Sequence, residues 1–185
     1  FAIMLATFRD LGYNVEWRII NAAEVGYAQK RRRVFIFAYK NTLDYARNQM
    51  NHTKDDIVFK EGFFANIFPV TEEPYKNRIN KVILPEDVLE ISNNFAHEFH
   101  MSGIMINGEV YTAHTEIKNP TFTPLGKILV DETEVPEKLY LTESQAEKFA
   151  FLRGPKKIER TSATGHKYTF SEGGMSPVDE LDSPG

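Results

Sequence analysis

Gln29-Lys30-Arg31-Arg32-Arg33 is the first stretch whose residue types and spacing suit chemistry, because it runs directly into the apolar segment over residues 34–38. At the entry to a strand alternate residues share a side, so Gln29, Arg31 and Arg33 are expected to point together. A guanidinium is a planar fork of donors that matches a phosphate or a carbonyl oxygen. A site is favoured here because α/β proteins gather ligands at the ends of their central strands. A solvated basic loop is the competing reading, since surface charge costs little.

A second cluster holds Arg153, Lys156, Lys157, Arg160, Ser162, Thr164, His166 and Lys167. Arg, Lys, Ser and Thr are the residue types that read base edges, and a two-stranded ribbon fits a major groove. The whole chain carries a net charge of −4, which by itself argues against a polyanion partner. Locally the balance differs: residues 151–170 carry five Lys and Arg against Glu159, whereas residues 171–185 carry four acids and no base. Phosphate contact follows the local patch. An exposed hairpin with ordinary surface charge is the alternative.

Other chemistries are excluded or unsupported. Without cysteine there is no disulfide, no thiolate metal site and no cysteine nucleophile. His97 and His100 miss the H-E-x-x-H spacing, so no metal role is expected. Gly173-Gly174 reads as a turn and not as a phosphate loop. No Ser-His-Asp constellation is evident. No stretch reaches the roughly 20 apolar residues that span a bilayer, and no signal peptide is evident. Absence of Cys is compatible with the cytoplasm. With 185 residues, 42% of them apolar, the chain can bury a core. It starts without Met and stops on a turn-like Pro-Gly, which reads as a segment of something longer.

The elements that must position these groups follow from patterning. Residues 1–11 predict a helix with Ile3, Met4, Ala6, Thr7 and Leu11 on one side and Gly12 as its C-terminal cap. Residues 15–21 predict a strand, Val15, Trp17 and Ile19 alternating with Glu16 and Arg18. The run over 34–38 suits a strand buried on both faces. Residues 41–56 read as polar helix or loop, and 85–91 as a short helix with Pro in its first turn. Asn107-Gly108 between two apolar stretches predicts a tight hairpin. Residues 127–130 and 139–141 are candidate strands. Thr142 and Gln145 predict a capping box on a helix over 143–152, with Ala146, Phe149 and Ala150 as its buried stripe. Residues 157–161 and 166–170 form a second hairpin around Ser162-Ala163-Thr164-Gly165.

Leu11-Gly12-Tyr13-Asn14-Val15, Asn21-Ala22-Ala23 and Gly26-Tyr27-Ala28-Gln29-Lys30-Arg31-Arg32-Arg33-Val34-Phe35-Ile36 together resemble the eighth conserved block of bacterial DNA (cytosine-5)-methyltransferases, a Gln-x-Arg-x-Arg followed by an apolar strand. The remainder is similar to the target recognition domain that follows that block. Leu125-Gly126-Lys127-Ile128-Leu129 and Val135-Pro136-Glu137-Lys138-Leu139-Tyr140-Leu141-Thr142 match bacterial members, and Leu181-Asp182-Ser183-Pro184-Gly185 resembles the approach to the ninth block. The family's Pro-Cys nucleophile, its Glu-Asn-Val acid and its glycine-containing methyl-donor block are not in this chain.

The resemblance implies an α+β chain. Residues 1–42 would be a helix-strand-loop-strand remnant of a Rossmann-like methyltransferase domain, and 43–185 a small mixed-sheet target recognition domain. The parent enzyme would methylate a flipped-out cytosine in double-stranded DNA, using S-adenosylmethionine, in a restriction-modification system. Arg33 would donate to the cytosine carbonyl oxygen, and Arg31 and Gln29 would orient the active-site loop or the flipped nucleotide. The hairpin over 157–170 would face the major groove, with Lys156, Lys157 and Lys167 on phosphates. The cofactor would not bind this segment, which would be inactive without the rest of the methyltransferase. A stand-alone nucleic-acid-binding module is the alternative, and a structural or protein-interaction domain the third reading.

Overall fold

The computed structural model describes residues 1–71, 78–172 and 176–185; the turn expected at Gly173-Gly174 lies outside the described residues. Two compact units form, one from Phe1–Glu24 with Arg31–Pro120, the other from Val25–Lys30 with Thr121–Gly185.

The first unit begins with α1 (Ala2–Asp10), whose buried stripe is Ala2, Leu5 and Ala6. Ile3 and Leu11, expected on that stripe, are exposed. Gly12 follows at φ 75, the left-handed conformation that ends many helices. Strand β1 (Tyr13–Asn21) and strand β2 (Arg32–Lys40) pair antiparallel along their full length. Next come α2 (Asp44–Gln49), α3 (Lys54–Asp56) continued by a π turn over Ile57–Glu61, and α4 (Phe63–Ile67). Strand β3 (Ile79–Ile83) and α5 (Val88–Asn94) precede the hairpin β4 (Ser102–Ile106) and β5 (Glu109–Ala113). Helix α5 starts after its cap Asp87, so Pro85 lies outside it. Asn107 at φ 50 and Gly108 at φ 84 make the tight turn that Asn-Gly predicts.

The sheet order is β2-β1-β4-β5-β3, and all its pairs are antiparallel. The expected mixed sheet is therefore corrected to an antiparallel one. The two N-terminal strands share this sheet with the 102–113 hairpin, so the expected division at residue 42 does not separate two sheets. One face packs Val15, Trp17, Met105 and Val110 against α1 and α5. The other packs Tyr39, Ile104, Tyr111 and Ala113 against α2 and the π turn. Trp17 lies opposite Gly103, where a Cβ would come within 2.2 Å of the indole.

Two sequence expectations about these strands fail, because burial depends on which segments pack beside a strand: β2 has a neighbour strand on one side only among the described residues, whereas remote segments cover the polar side of β1. Residues 34–38 form an edge strand, and Val34, Phe35 and Ile36 are 48%, 50% and 37% exposed. Glu16 and Arg18, read as the polar face of β1, are both 3% exposed. Arg18 donates to Ser102 Oγ at 3.1 Å, to the carbonyls of Phe64 at 3.0 Å and Val58 at 2.6 Å, and to that of Phe68. Tyr45 donates to Glu16 Oε1 at 2.8 Å, and the N–H groups of Phe64 and Phe63 also bond this carboxylate. Two charges on one strand thus hold both ends of α4, the anion at its N–H end and the cation at its carbonyl end. Burial still pushes the Glu16 carboxyl up, and it lowers Arg18 to about 10.

The second unit contains α6 (Glu143–Leu152) and the hairpin β6 (Lys156–Thr161) with β7 (Lys167–Glu172). The Thr142–Gln145 capping box forms. The expected buried stripe does not: Ala146, Phe149 and Ala150 are exposed. The candidate strands over 127–130 and 139–141 are not strands. Short 3-10 turns at Leu125–Lys127 and Glu137–Leu139 stand there, each following a proline. Among the described residues of this unit only Pro184 is buried. Backbone bonds tie the unit's separate stretches: Gly26 N–H to Thr121 O at 2.9 Å, Gly185 N–H to Ala28 O at 3.1 Å, and Gly126 N–H to Leu181 O at 2.9 Å. Among the described residues no helix is long and apolar enough to cross a membrane.

Candidate nucleic-acid interface

The β1–β2 ladder stops at the pair Asn21 and Arg32. Arg31, immediately outside it, is held through its backbone: its N–H donates to Asn21 Oδ1 at 3.1 Å, and its carbonyl accepts from Ala22 N–H at 3.1 Å. Arg31, Arg32 and Arg33 are exposed. None of them has an ion pair among the described residues. The Arg33 guanidinium donates to Arg32 O at 2.7 Å. Strand alternation places Arg33 on the face of Phe35 and Phe37, opposite Ile20. Gln29 is not on the strand. It is exposed in a bend of the 25–30 stretch, so the expectation that Gln29, Arg31 and Arg33 share one strand side is corrected. An intervening bend breaks the two-residue period on which it rested.

The predicted hairpin forms, and its register sorts the basic side chains. Lys157, Glu159, Thr161, Lys167, Thr169 and Ser171 lie on one face; Lys156, Ile158, Arg160, Tyr168 and Phe170 lie on the other. Lys157 and Lys167 are exposed. Lys156 is half-buried, its ammonium 4.8 Å from the centre of the Phe151 ring. The Arg160 guanidinium lies 4.2 Å from the centre of the Phe170 ring, its diagonal neighbour across the ladder. Arg153 is paired with Asp179 at 2.7 Å and also donates to Ser176 O at 3.3 Å. At the tip Ser162 Oγ and Thr164 Oγ1 are 2.9 Å apart. The His166 N–H donates to Ser162 Oγ at 3.0 Å, and Gly165 turns at φ 83.

The arginine run stands at the end of the β1–β2 ladder in the first unit, and the basic hairpin is formed within the second. Sequence reasoning missed Asn21, Phe151, Phe170 and Asp179 as partners of the basic groups. Phe170 was legible once the hairpin register is drawn, whereas Asp179 lies beyond any local pattern. Groups of three or more His, Asp or Glu arranged to hold a metal are not found among the described residues.

Comparison with known proteins identifies the family of the chain. The family profile for C-5 cytosine-specific DNA methylase matches residues 1–170. Type II methyltransferase M.Sau3AI of Staphylococcus aureus is 48% identical over 184 residues, covering 100% of this chain and 44% of the relative. Type II methyltransferase M.HgiBI of Herpetosiphon aurantiacus is 45% identical over 88 residues, 42% of this chain and 20% of the relative. Type II methyltransferase M.MthTI of Methanothermobacter thermautotrophicus is 43% identical over 44 residues, 24% of this chain and 13% of the relative. No solved structure matches. The chain spans less than half the length of these relatives. With its arginine-led strand entry and a family match across nine-tenths of its length, the chain belongs to the C-5 cytosine-specific DNA methylase family.

Proposed function

We propose that this chain is the DNA-recognising part of a DNA (cytosine-5)-methyltransferase of a restriction-modification system, joined to the end of that enzyme's catalytic domain. Residues 1–42 contribute the Rossmann-like remnant and the catalytic arginines, and 43–185 select the target in double-stranded DNA. The observation that carries this reading is the exposed arginine run at the mouth of β2, free of carboxylate partners among the described residues. The open edge and exposed apolar side chains of β2 support a partner there, the remainder of the methyltransferase. Such an enzyme works in the cytoplasm, on the nucleoid.

The chemistry divides accordingly. Arg33 donates to the carbonyl oxygen of the flipped cytosine. A guanidinium stays charged at neutral pH, so it stabilises electron density on that oxygen and does not deliver a proton. Arg31 and Gln29 orient the flipped nucleotide's backbone or the active-site loop. S-adenosylmethionine supplies the methyl group in the complete enzyme. Among the described residues the glycines do not fit a cradle for it: Gly12, Gly26, Gly108, Gly154 and Gly165 have positive φ, yet none stands between a strand and a following helix.

On the hairpin, Lys157 and Lys167 contact phosphate and fix the register of the ribbon. Arg160, Ser162, Thr164 and His166 face base edges. Arg153 and Lys156, engaged by Asp179 and Phe151, brace the base of the hairpin.

Incubation of the chain with DNA and labelled S-adenosylmethionine tests this reading. The chain alone gives no turnover but binds DNA in a salt-dependent manner. Joined to the segment with the Pro-Cys and Glu-Asn-Val blocks, it supports methylation. Turnover by the chain alone, or no DNA binding at low salt, refutes the assignment.

A further inference from the structure

Asn21 is the last residue of β1 and does three things at once. Its Oδ1 accepts from Ala23 N–H at 3.3 Å and from Arg31 N–H at 3.1 Å, and its Nδ2 donates to Glu24 Oε1 at 3.2 Å. The neighbouring Ala22 N–H takes the Arg31 carbonyl at 3.1 Å. Both backbone polar groups of Arg31 are therefore claimed at a point where the ladder has ended. β2 is an edge strand, paired on one side. The Asn21 side chain supplies the bond to the Arg31 N–H, and the Ala22 backbone supplies the bond to its carbonyl.

We infer that Asn21 is a positioning residue for methyl transfer, acting through the backbone of Arg31 to fix the direction in which Arg31 and Arg33 leave the strand. It touches neither base nor cofactor. The inference rests on the role given above to Arg33. A carboxamide suits the task because one planar group supplies an acceptor for two N–H groups and a donor for Glu24. Aspartate keeps the acceptor but sets a second anion beside Glu24; alanine keeps nothing. The competing role is purely local, a cap on the 3-10 turn Ala22–Glu24.

The test measures kcat and KM for DNA in the complete methyltransferase for Asn21→Ala, Asn21→Asp, Arg33→Ala and the Asn21→Ala, Arg33→Ala pair. Amide hydrogen exchange at Arg31 and thermal melting are followed in the chain itself. Asn21→Ala lowers kcat by about tenfold to a hundredfold, the cost of misplacing a catalytic group by an ångström, with KM shifting less than about twofold. Asn21→Asp recovers most of the lost kcat and keeps the Arg31 amide protected. In the Arg33→Ala background, Asn21→Ala adds little, because both act on one interaction. A lowered melting temperature with kcat unchanged assigns Asn21 to the cap alone and overturns the inference. So does a loss from Asn21→Ala that is undiminished in the Arg33→Ala background. Unchanged kcat in Arg33→Ala instead overturns the reading of Arg33 and the inference with it.

Discussion

Replacing Lys157 and Lys167 together by glutamine separates the two faces of the hairpin. These two lysines share a face, are exposed and have no ion pair among the described residues. Each phosphate neutralised on duplex DNA contributes about 0.9 to the slope of log affinity against log salt. Losing two contacts therefore flattens the slope by about 1.8. Raising salt fourfold, from about 50 to about 200 mM, then costs the parent chain about twelvefold more affinity than it costs the double variant. Lys156→Gln provides the internal control. Its ammonium lies over Phe151 on the opposite face, so its slope stays at the parental value. Glu159 shares the face of Lys157 and Lys167, and Glu159→Gln raises affinity at low salt. Fluorescence anisotropy with a labelled duplex over a salt series gives all four slopes. Equal flattening by Lys156→Gln, or a parental slope in the double variant, refutes the assignment of faces.

Three further outcomes follow from the same structure. Arg160, over the Phe170 ring, presents a fork suited to the N7 and O6 of guanine, so Arg160→Ala loses discrimination at one guanine position by about tenfold or more; substituting 7-deazaguanine position by position locates it, and a uniform loss across all sequences makes Arg160 a phosphate contact. Burial raises the Glu16 carboxyl, mainly through desolvation. The folded chain thus keeps that proton to higher pH than the unfolded chain, and the stability so gained is full below the ordinary carboxylate range and lost as pH rises through the raised value. Melting of Glu16→Gln against the parent from about pH 4 to about pH 8 shows the variant gaining relative stability with pH, and parallel profiles refute it. Gly103→Ala drives a Cβ to 2.2 Å from the Trp17 indole inside a paired strand, costing about 1–3 kcal/mol in denaturant unfolding with a shift in tryptophan emission; a loss below about 0.5 kcal/mol would show that the indole can move aside.

The sequence by itself determined what short-range geometry controls. The Asn107-Gly108 turn forms because both positions need positive φ, and the Thr142–Gln145 box because both partners lie within one helical turn. Helix α1 with Gly12 behind it, and the hairpin around residues 162–165, were legible for the same reason. Tertiary structure decided the rest. The alternation of Glu16 and Arg18 along β1 looks like a solvent face, but their partners Tyr45, Val58, Phe64 and Phe68 arrive from later in the chain and bury both charges. The apolar run over 34–38 carries no mark of whether a second neighbour strand is present, and here it is an edge. The basic residues at both sites were visible as residue types. Their division into free, stacked and ion-paired groups was not, because it depends on strand register, on Asp179 and on the latch between Asn21 and Arg31, all set by contacts across the chain.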